Sequence, residues 1–310
     1  MGLIKRPNEL AVKSTLSILI YGQPGTGKTT LGCSAPTPVL FDYDGGVQRI
    51  NGAHQVPTVQ ITSWEDTEQA IQEIEQEYPE CKTIVIDTVG KMLDYMSDYI
   101  IRQDSKMGQR DGSLSLKGYG VRKTMFVNFI KKLFINGRSI VFIAHEKEDK
   151  DGDLTVKRPL IGGSSASDLL SELDLVGYIQ MIGKERTIAF NPTEQYIAKN
   201  CANLPAVVKL PETVDDKGNA VGKNDFVTRV LKGYEGVQKT KLEKNADFAA
   251  LMECISAKVD YITDAETANE VMAEIQTMEH IYDSKIRASQ MIADKAKSLR
   301  LKLNAKKQYE

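Results

Sequence analysis

Eight consecutive residues carry the clearest chemistry in this chain: Gly22-Gln23-Pro24-Gly25-Thr26-Gly27-Lys28-Thr29 match the pattern GxxxxGK[ST]. Glycines let successive backbone N–H groups turn inward around an anion, and the Lys28 ammonium can meet the β- and γ-phosphate oxygens of a nucleoside triphosphate. A helix opening at Gly27 adds the positive end of its dipole. The Thr29 hydroxyl is placed to ligate magnesium, so the residues from Gly22 to Thr29, with Thr30 beside them, are the expected contacts to ATP and Mg2+. The same letters also fit an ordinary glycine turn, but the apolar run before them and the helical pattern after them are what a phosphate loop requires.

Thr83-Ile84-Val85-Ile86-Asp87 is an apolar, β-branched run that ends in an acid. One strand further on from a phosphate loop, that acid is expected to hold magnesium through water, which pairs Thr29 with Asp87 as the metal residues. Read alone, Asp87 fits a helix cap as well. Hydrolysis also needs a group that orients or deprotonates water, and the residue after Asp87 is Thr88, where many AAA+ enzymes carry a glutamate. The base must come from elsewhere in the chain.

The elements that position these groups alternate short apolar runs with amphipathic stretches up to about residue 190, the signature of a mostly parallel sheet flanked by helices. Strands are predicted over 16–21, 39–43, 56–61, 83–86 and 139–144, then over 174–181, 186–190 and 196–199. Helices are predicted from Gly27 to Ser34, over 64–78 behind a Ser63 cap, and over 92–101 and 119–134. Between the last two lies a polar loop, 105–116, and Asp151-Gly152 marks a hairpin turn in the charged segment 146–158. Asp215, Asp216, Gly218 and Gly222 make 213–225 a polar domain edge. Beyond it, 245–258, 264–280 and 284–305 have helical spacing without proline. The expected organisation is an α/β core, 1–235, with a helical C-terminal appendage, 236–310.

Further segments follow the phosphate loop in a telling order. Phe41-Asp42-Tyr43-Asp44-Gly45-Gly46 ends the second strand, Ser139-Ile140-Val141-Phe142-Ile143-Ala144-His145 is a later one, and Arg158-Pro159-Leu160-Ile161-Gly162-Gly163-Ser164-Ser165 precedes Asp174-Leu175-Val176. This layout resembles that of RecA-type ATPases. With Leu116-Lys117-Gly118-Tyr119-Gly120 and Ala198-Lys199-Asn200, the chain from about 14 to 210 is similar to phage-encoded RecA-core ATPases of the single-strand-annealing recombinase group. The resemblance implies a RecA-like P-loop NTPase core whose ATPase activity is stimulated by single-stranded DNA. It implies Asp44 as catalytic base, one methylene shorter than the glutamate of RecA itself, with Asp42 as the substitute. It also implies His145 as a γ-phosphate sensor acting beside Lys28, and a homo-oligomer, ring or filament, in which Lys157, Arg158 and Lys199 reach a neighbour's γ-phosphate. A phage or host single-strand-binding protein is a further implied partner. On residue chemistry alone, Asp42 and Asp44 also fit turn acids before a glycine pair, His145 a polar strand end, and the three cations surface bases.

Composition adds exclusions. A net charge of −2, with 41% hydrophobic and 26% charged residues, is ordinary for a globular protein and rules out a uniformly basic nucleic-acid-binding surface. Local patches stay open: 105–117, with Tyr119 as a stacking platform, 146–158, and 285–307, where eight Lys and Arg face Asp294 alone. No apolar run approaches the roughly 18 residues of a membrane span, and residues 1–8 lack a signal-peptide core, so a cytoplasmic protein is expected. Cys33, Cys81, Cys201 and Cys254 are scattered without metal spacing and are expected to be buried, reduced thiols. Two other functions share the motif: a P-loop kinase acting on a small molecule, and a nucleotide-dependent switch that binds a protein partner through its C-terminal helices.

Overall fold

In chain order the strands are β1 (Ser17–Gly22), β2 (Pro38–Asp42), β3 (Thr58–Gln60), β4 (Thr83–Asp87), β5 (Ser139–Asp151), β6 (Leu154–Pro159), β7 (Leu175–Ile182), β8 (Glu185–Ala189), β9 (Lys199–Asn200) and β10 (Val207–Lys209). The helices are α1 (Lys28–Gly32), α2 (Trp64–Glu77), α3 (Val89–Gln103), α4 (Leu116–Ile135), α5 (Ser165–Glu172), α6 (Phe226–Asp260), α7 (Ala265–Thr277) and α8 (Ser284–Ser298). The computed structural model describes residues 3–5, 9–10, 14–135, 137–152, 154–183, 185–215 and 217–310. Part of the 1–8 segment and Asp216 lie outside the described residues.

The sheet runs β10-β8-β7-β1-β5-β4-β2-β3, with β6 paired to β5 and β9 to β7. From β7 across to β3 every pairing is parallel, while β8, β9, β10 and β6 join antiparallel. The near-continuous apolar runs are those of strands covered on both faces, and alternate residues serve opposite cores. Leu19, Tyr21, Phe41, Ile84, Ile86, Ile140 and Phe142 pack with residues of α2 to α5. Ile18, Ile20, Leu40, Val85, Val141 and Ile143 pack with Leu31 of α1 and with Val227, Val230 and Leu231.

Local signals set the helix starts. Ser63 and Asp66 form a capping box on α2, and the Thr88 hydroxyl accepts from Lys91 N at the start of α3. The helix after the phosphate loop is shorter than the sequence predicts: α1 stops at Gly32, where an added Cβ would lie 3.0 Å from Ile143 Cδ1. Pro36 then keeps the following chain out of the helix. The hairpin expected at Asp151-Gly152 is present, with Asp151 paired to Leu154. The loop before α4 is compact, closed by Ser115 N to Met107 O and with Met107 and Leu114 buried.

The chain divides into two compact units, one of Ser14–Glu235 and one containing Gly236–Glu310. In the second unit, Ile255, Val259, Ile262, Val271, Ile275 and Ile292 form a core of their own. The helix expected over 284–305 ends at Ser298, because Arg300 takes a left-handed φ of 60° and Leu303 bridges to Tyr309. Lys302, Lys306 and Lys307 therefore lie off the helix, and Arg287 is paired with Asp283 at 2.9 Å. A helical basic stripe over 285–307 does not form. Cys33 and Cys81 are buried as expected, whereas Cys201 and Cys254 are exposed. Among the described residues no helix is long and apolar enough to cross a membrane.

Phe142 is fully buried in the central strand β5. Phe142→Ala should cost about 3–5 kcal/mol of unfolding free energy, read as a lower urea midpoint with unchanged slope.

Candidate nucleotide site

The parallel strands end level with one another, and that levelling assembles the site. Gly22 at the end of β1 pairs with His145 on β5, and Asp42 at the end of β2 pairs with Asp87 at the end of β4. β1 also lies between β5 and β7, so the loop after it opens where successive connections leave in opposite directions, the usual ligand crevice of such sheets. Gly22 must be glycine because an added Cβ would sit 2.5 Å from the Ile179 carbonyl oxygen. Gln23 to Gly27 then form the turn, and the Gln23 carbonyl accepts from Lys28 Nζ at 2.7 Å and from the Thr26 hydroxyl at 2.8 Å. Pro24 and Gly25 form its tip, with open space beside Gly25. The Thr30 carbonyl is held by Asn224 Nδ2 at 2.7 Å.

Thr29 Oγ1 donates to Asp87 Oδ2 at 2.6 Å, so the structure brings together the two residues assigned to the metal. Burial, with the Asp42 and Asp44 carboxylates adding to it, raises the Asp87 pKa to about 6 against the opposing Thr29 bond and Lys28 charge. Lys28 is pulled below its ordinary range by burial, while Asp87, Glu146 and Asp44 resist that shift. His145 is lowered by burial and by Lys28, which keeps its imidazole neutral at neutral pH. Its Nε2 lies 4.0 Å from Asp44 Oδ2, beyond hydrogen-bond reach. Its Nδ1 is buried without a hydrogen-bond partner among the described residues.

The two acids of the second strand end have different surroundings. Asp42 is buried and accepts from Gly46 N and Val47 N at 3.0 Å each, so it pins the glycine turn. Asp44 is displayed by that turn, facing His145. Lys157, Arg158 and Lys199 are engaged within their own chain. Lys157 bonds Glu148 and lies 3.5 Å from Glu146, Arg158 lies 3.6 Å from Asp149, and Lys199 donates to the Ser171 carbonyl at 3.2 Å.

Three residues of this region carried no marking signal in the sequence. Glu146, read only as the start of a charged loop, has a side chain only 7% exposed, and its Oε2 lacks a hydrogen-bond partner among the described residues. Arg186 on β8 reaches the Thr26 carbonyl. Arg122 on α4 is buried, with one hydrogen bond to Ser97 Oγ at 3.1 Å and its guanidinium over the Tyr119 ring. That contact also covers one face of the ring expected to stack on bases.

A triphosphate with a divalent metal fits these residues. The loop offers an ammonium and glycine-lined space, and Asp87 is a desolvated acid joined to a hydroxyl. Among the described residues no cluster of three or more His, Cys, Asp or Glu could hold an ion alone. Sheet, loop and acid together define a P-loop nucleotide-binding protein of the NTPase class. Residues 14–202 match the family AAA_24, an AAA domain, and the chain belongs to that family. It is also similar to the SPbeta prophage-derived uncharacterized protein YorG of Bacillus subtilis (strain 168), 29% identical over 257 residues that cover 77% of each chain.

The raised Asp87 pKa has a consequence for stability. An acid at about 6 when folded and 3.8 as a free side chain contributes stability that is present below the lower value and lost as pH rises through the higher one. Asp87→Asn should therefore raise the melting temperature of the nucleotide-free protein at pH 7.5 by more than at pH 4.5, as followed by circular dichroism.

Proposed function

We propose that this protein is a RecA-like ATPase stimulated by single-stranded DNA, acting in phage recombination or repair. The prophage origin of its relative supports the phage setting. The observation that carries the DNA part is Arg122. It is nine-tenths buried, and burial lowers its pKa with only Tyr119 and Asp94 offsetting the shift. Among the described residues no carboxylate is paired with it; a buried guanidinium without one is costly, and five N–H donors suit a phosphate. Its Nη2 lies 3.5 Å from where a Cβ at Gly162 would be and 3.8 Å from that of Gly163. This glycine pair gives a nucleic-acid backbone room to approach.

The same segment supports coupling to the nucleotide. Leu160 N donates to the His145 carbonyl at 2.7 Å, two residues before Gly162, so a shift of the glycine pair bears on the residue beside Asp44 and Lys28. In hydrolysis, water attacks the γ-phosphorus as the bond to the bridging oxygen breaks. ADP leaves with that electron pair, and the Asp44 carboxylate takes the water proton. Lys28 exchanges the Gln23 carbonyl for phosphate oxygens, and neutral His145 donates one N–H to the γ-phosphate. Thr29 and Asp87 would hold Mg2+, which would supply positive charge to the phosphate oxygens.

Turnover with and without single-stranded DNA at low salt tests the reading. Wild type should release ADP without a phosphoryl acceptor, and faster with DNA. Arg122→Ala should keep basal turnover while weakening DNA binding about tenfold and losing the stimulation. Wild-type turnover that ignores DNA would sink the DNA part. Asp44→Asn should lower kcat by roughly a hundredfold or more, and an unchanged kcat removes Asp44 as base.

A further inference from the structure

Arg186 is distant from the phosphate loop in sequence and in contact with it in the fold. Its Nη1 donates to the Thr26 carbonyl at 3.4 Å, and its Nη2 to the Pro211 carbonyl at 2.9 Å. The same Nη1 fills the space a Cβ at Gly27 would take, where a φ of 77° already favours glycine. The backbone of Arg186 is held as well, since Leu210 N donates to its carbonyl at 2.8 Å. Beyond Pro211 the chain is tied again, with the Thr213 carbonyl meeting His54 Nε2 at 2.8 Å. The guanidinium thus stands on a fixed base and braces the loop against a second fixed segment. The Glu212 carboxylate partly offsets its burial.

We infer that Arg186 is a positioning residue for nucleotide binding, holding the Thr26 and Gly27 backbone against the Pro211 segment so that the loop N–H groups keep the geometry that grips a triphosphate. The inference rests on the ATPase reading of the same loop. A turn with glycine at 22, 25 and 27 has much conformational freedom to lose on binding, and a rigid brace removes part of that cost beforehand. Arginine suits the task because its planar fork sends two donors in divergent directions, which a lysine ammonium on a flexible stem does less well.

Calorimetric titration of ATP and ADP into the full chain, with steady-state turnover, tests this. Arg186→Ala should weaken nucleotide Kd and raise KM about tenfold while kcat at saturation stays within about twofold, and Arg186→Lys should recover little of the loss. The fitted stoichiometry counts folded sites, so a lower stoichiometry at unchanged Kd marks a role in folding alone and overturns the inference. A fall in kcat at unchanged KM overturns it too. Lys28→Ala, run in parallel, separates the two levels. If it leaves Kd unchanged, the ATP reading of the loop fails, and this inference with it. If it abolishes binding while Arg186→Ala binds like wild type, only the role of Arg186 fails.

Discussion

The hydrogen bond from Thr29 to Asp87, 2.6 Å long, joins the first turn after the phosphate loop to the end of a different strand. It exists only because β1 and β4, separated in the sheet by β5, end at the same height. A one-residue slip of β4 against β5 would turn Asp87 to the other face of the sheet. The carboxylate is deeply buried, and its charged form is disfavoured until a cation arrives. The nucleotide-free site therefore holds an acid whose ionisation and ligand binding favour each other.

A second line of contacts leaves the same strand ends. His145 faces Asp44 with its side chain, and its carbonyl accepts from Leu160, which leads into Gly162, Gly163 and Arg122. The hairpin that intervenes in sequence reads as a charged loop, with acids interleaved among its lysines and arginine. In the fold Lys147, Lys157 and Arg158 lie against Asp149, Glu146, Glu148 and Asp151 of the same hairpin. Cations already neutralised on a surface gain little from a phosphate. A buried arginine without a paired carboxylate among the described residues gains more, which is why the proposed DNA contact centres on Arg122 rather than on the hairpin.

Those contrasts show what the sequence could and could not reveal. Strands and the phosphate loop were legible because their signals are local: apolar runs, a glycine pattern, an acid at a strand end. Asp42 and Asp44 were legible as a pair, but only the turn separates them, one carboxylate bound to Gly46 and Val47 amides and the other presented outward. The end of α8 was missed because apolar spacing persists beyond it, and a left-handed Arg300 leaves no mark in composition. Arg186 was hidden by distance, since its partner Thr26 lies 160 residues away. An arginine on an edge-side strand reads as a surface charge until the sheet order is known.

One imbalance ties these pieces together. Asp87, Glu146 and Asp44 all act on Lys28, and Glu146 keeps a buried oxygen without a hydrogen-bond partner among the described residues. Carboxylates around the Lys28 ammonium disfavour a bare polyanion, whose charge they repel. The same set suits a triphosphate that arrives with its own divalent cation. Thr29 and Asp87 would then hold the metal, while the loop amides and Lys28 would meet the phosphate oxygens. Acidity beside the phosphate loop is thus compatible with a nucleotide that carries a divalent cation.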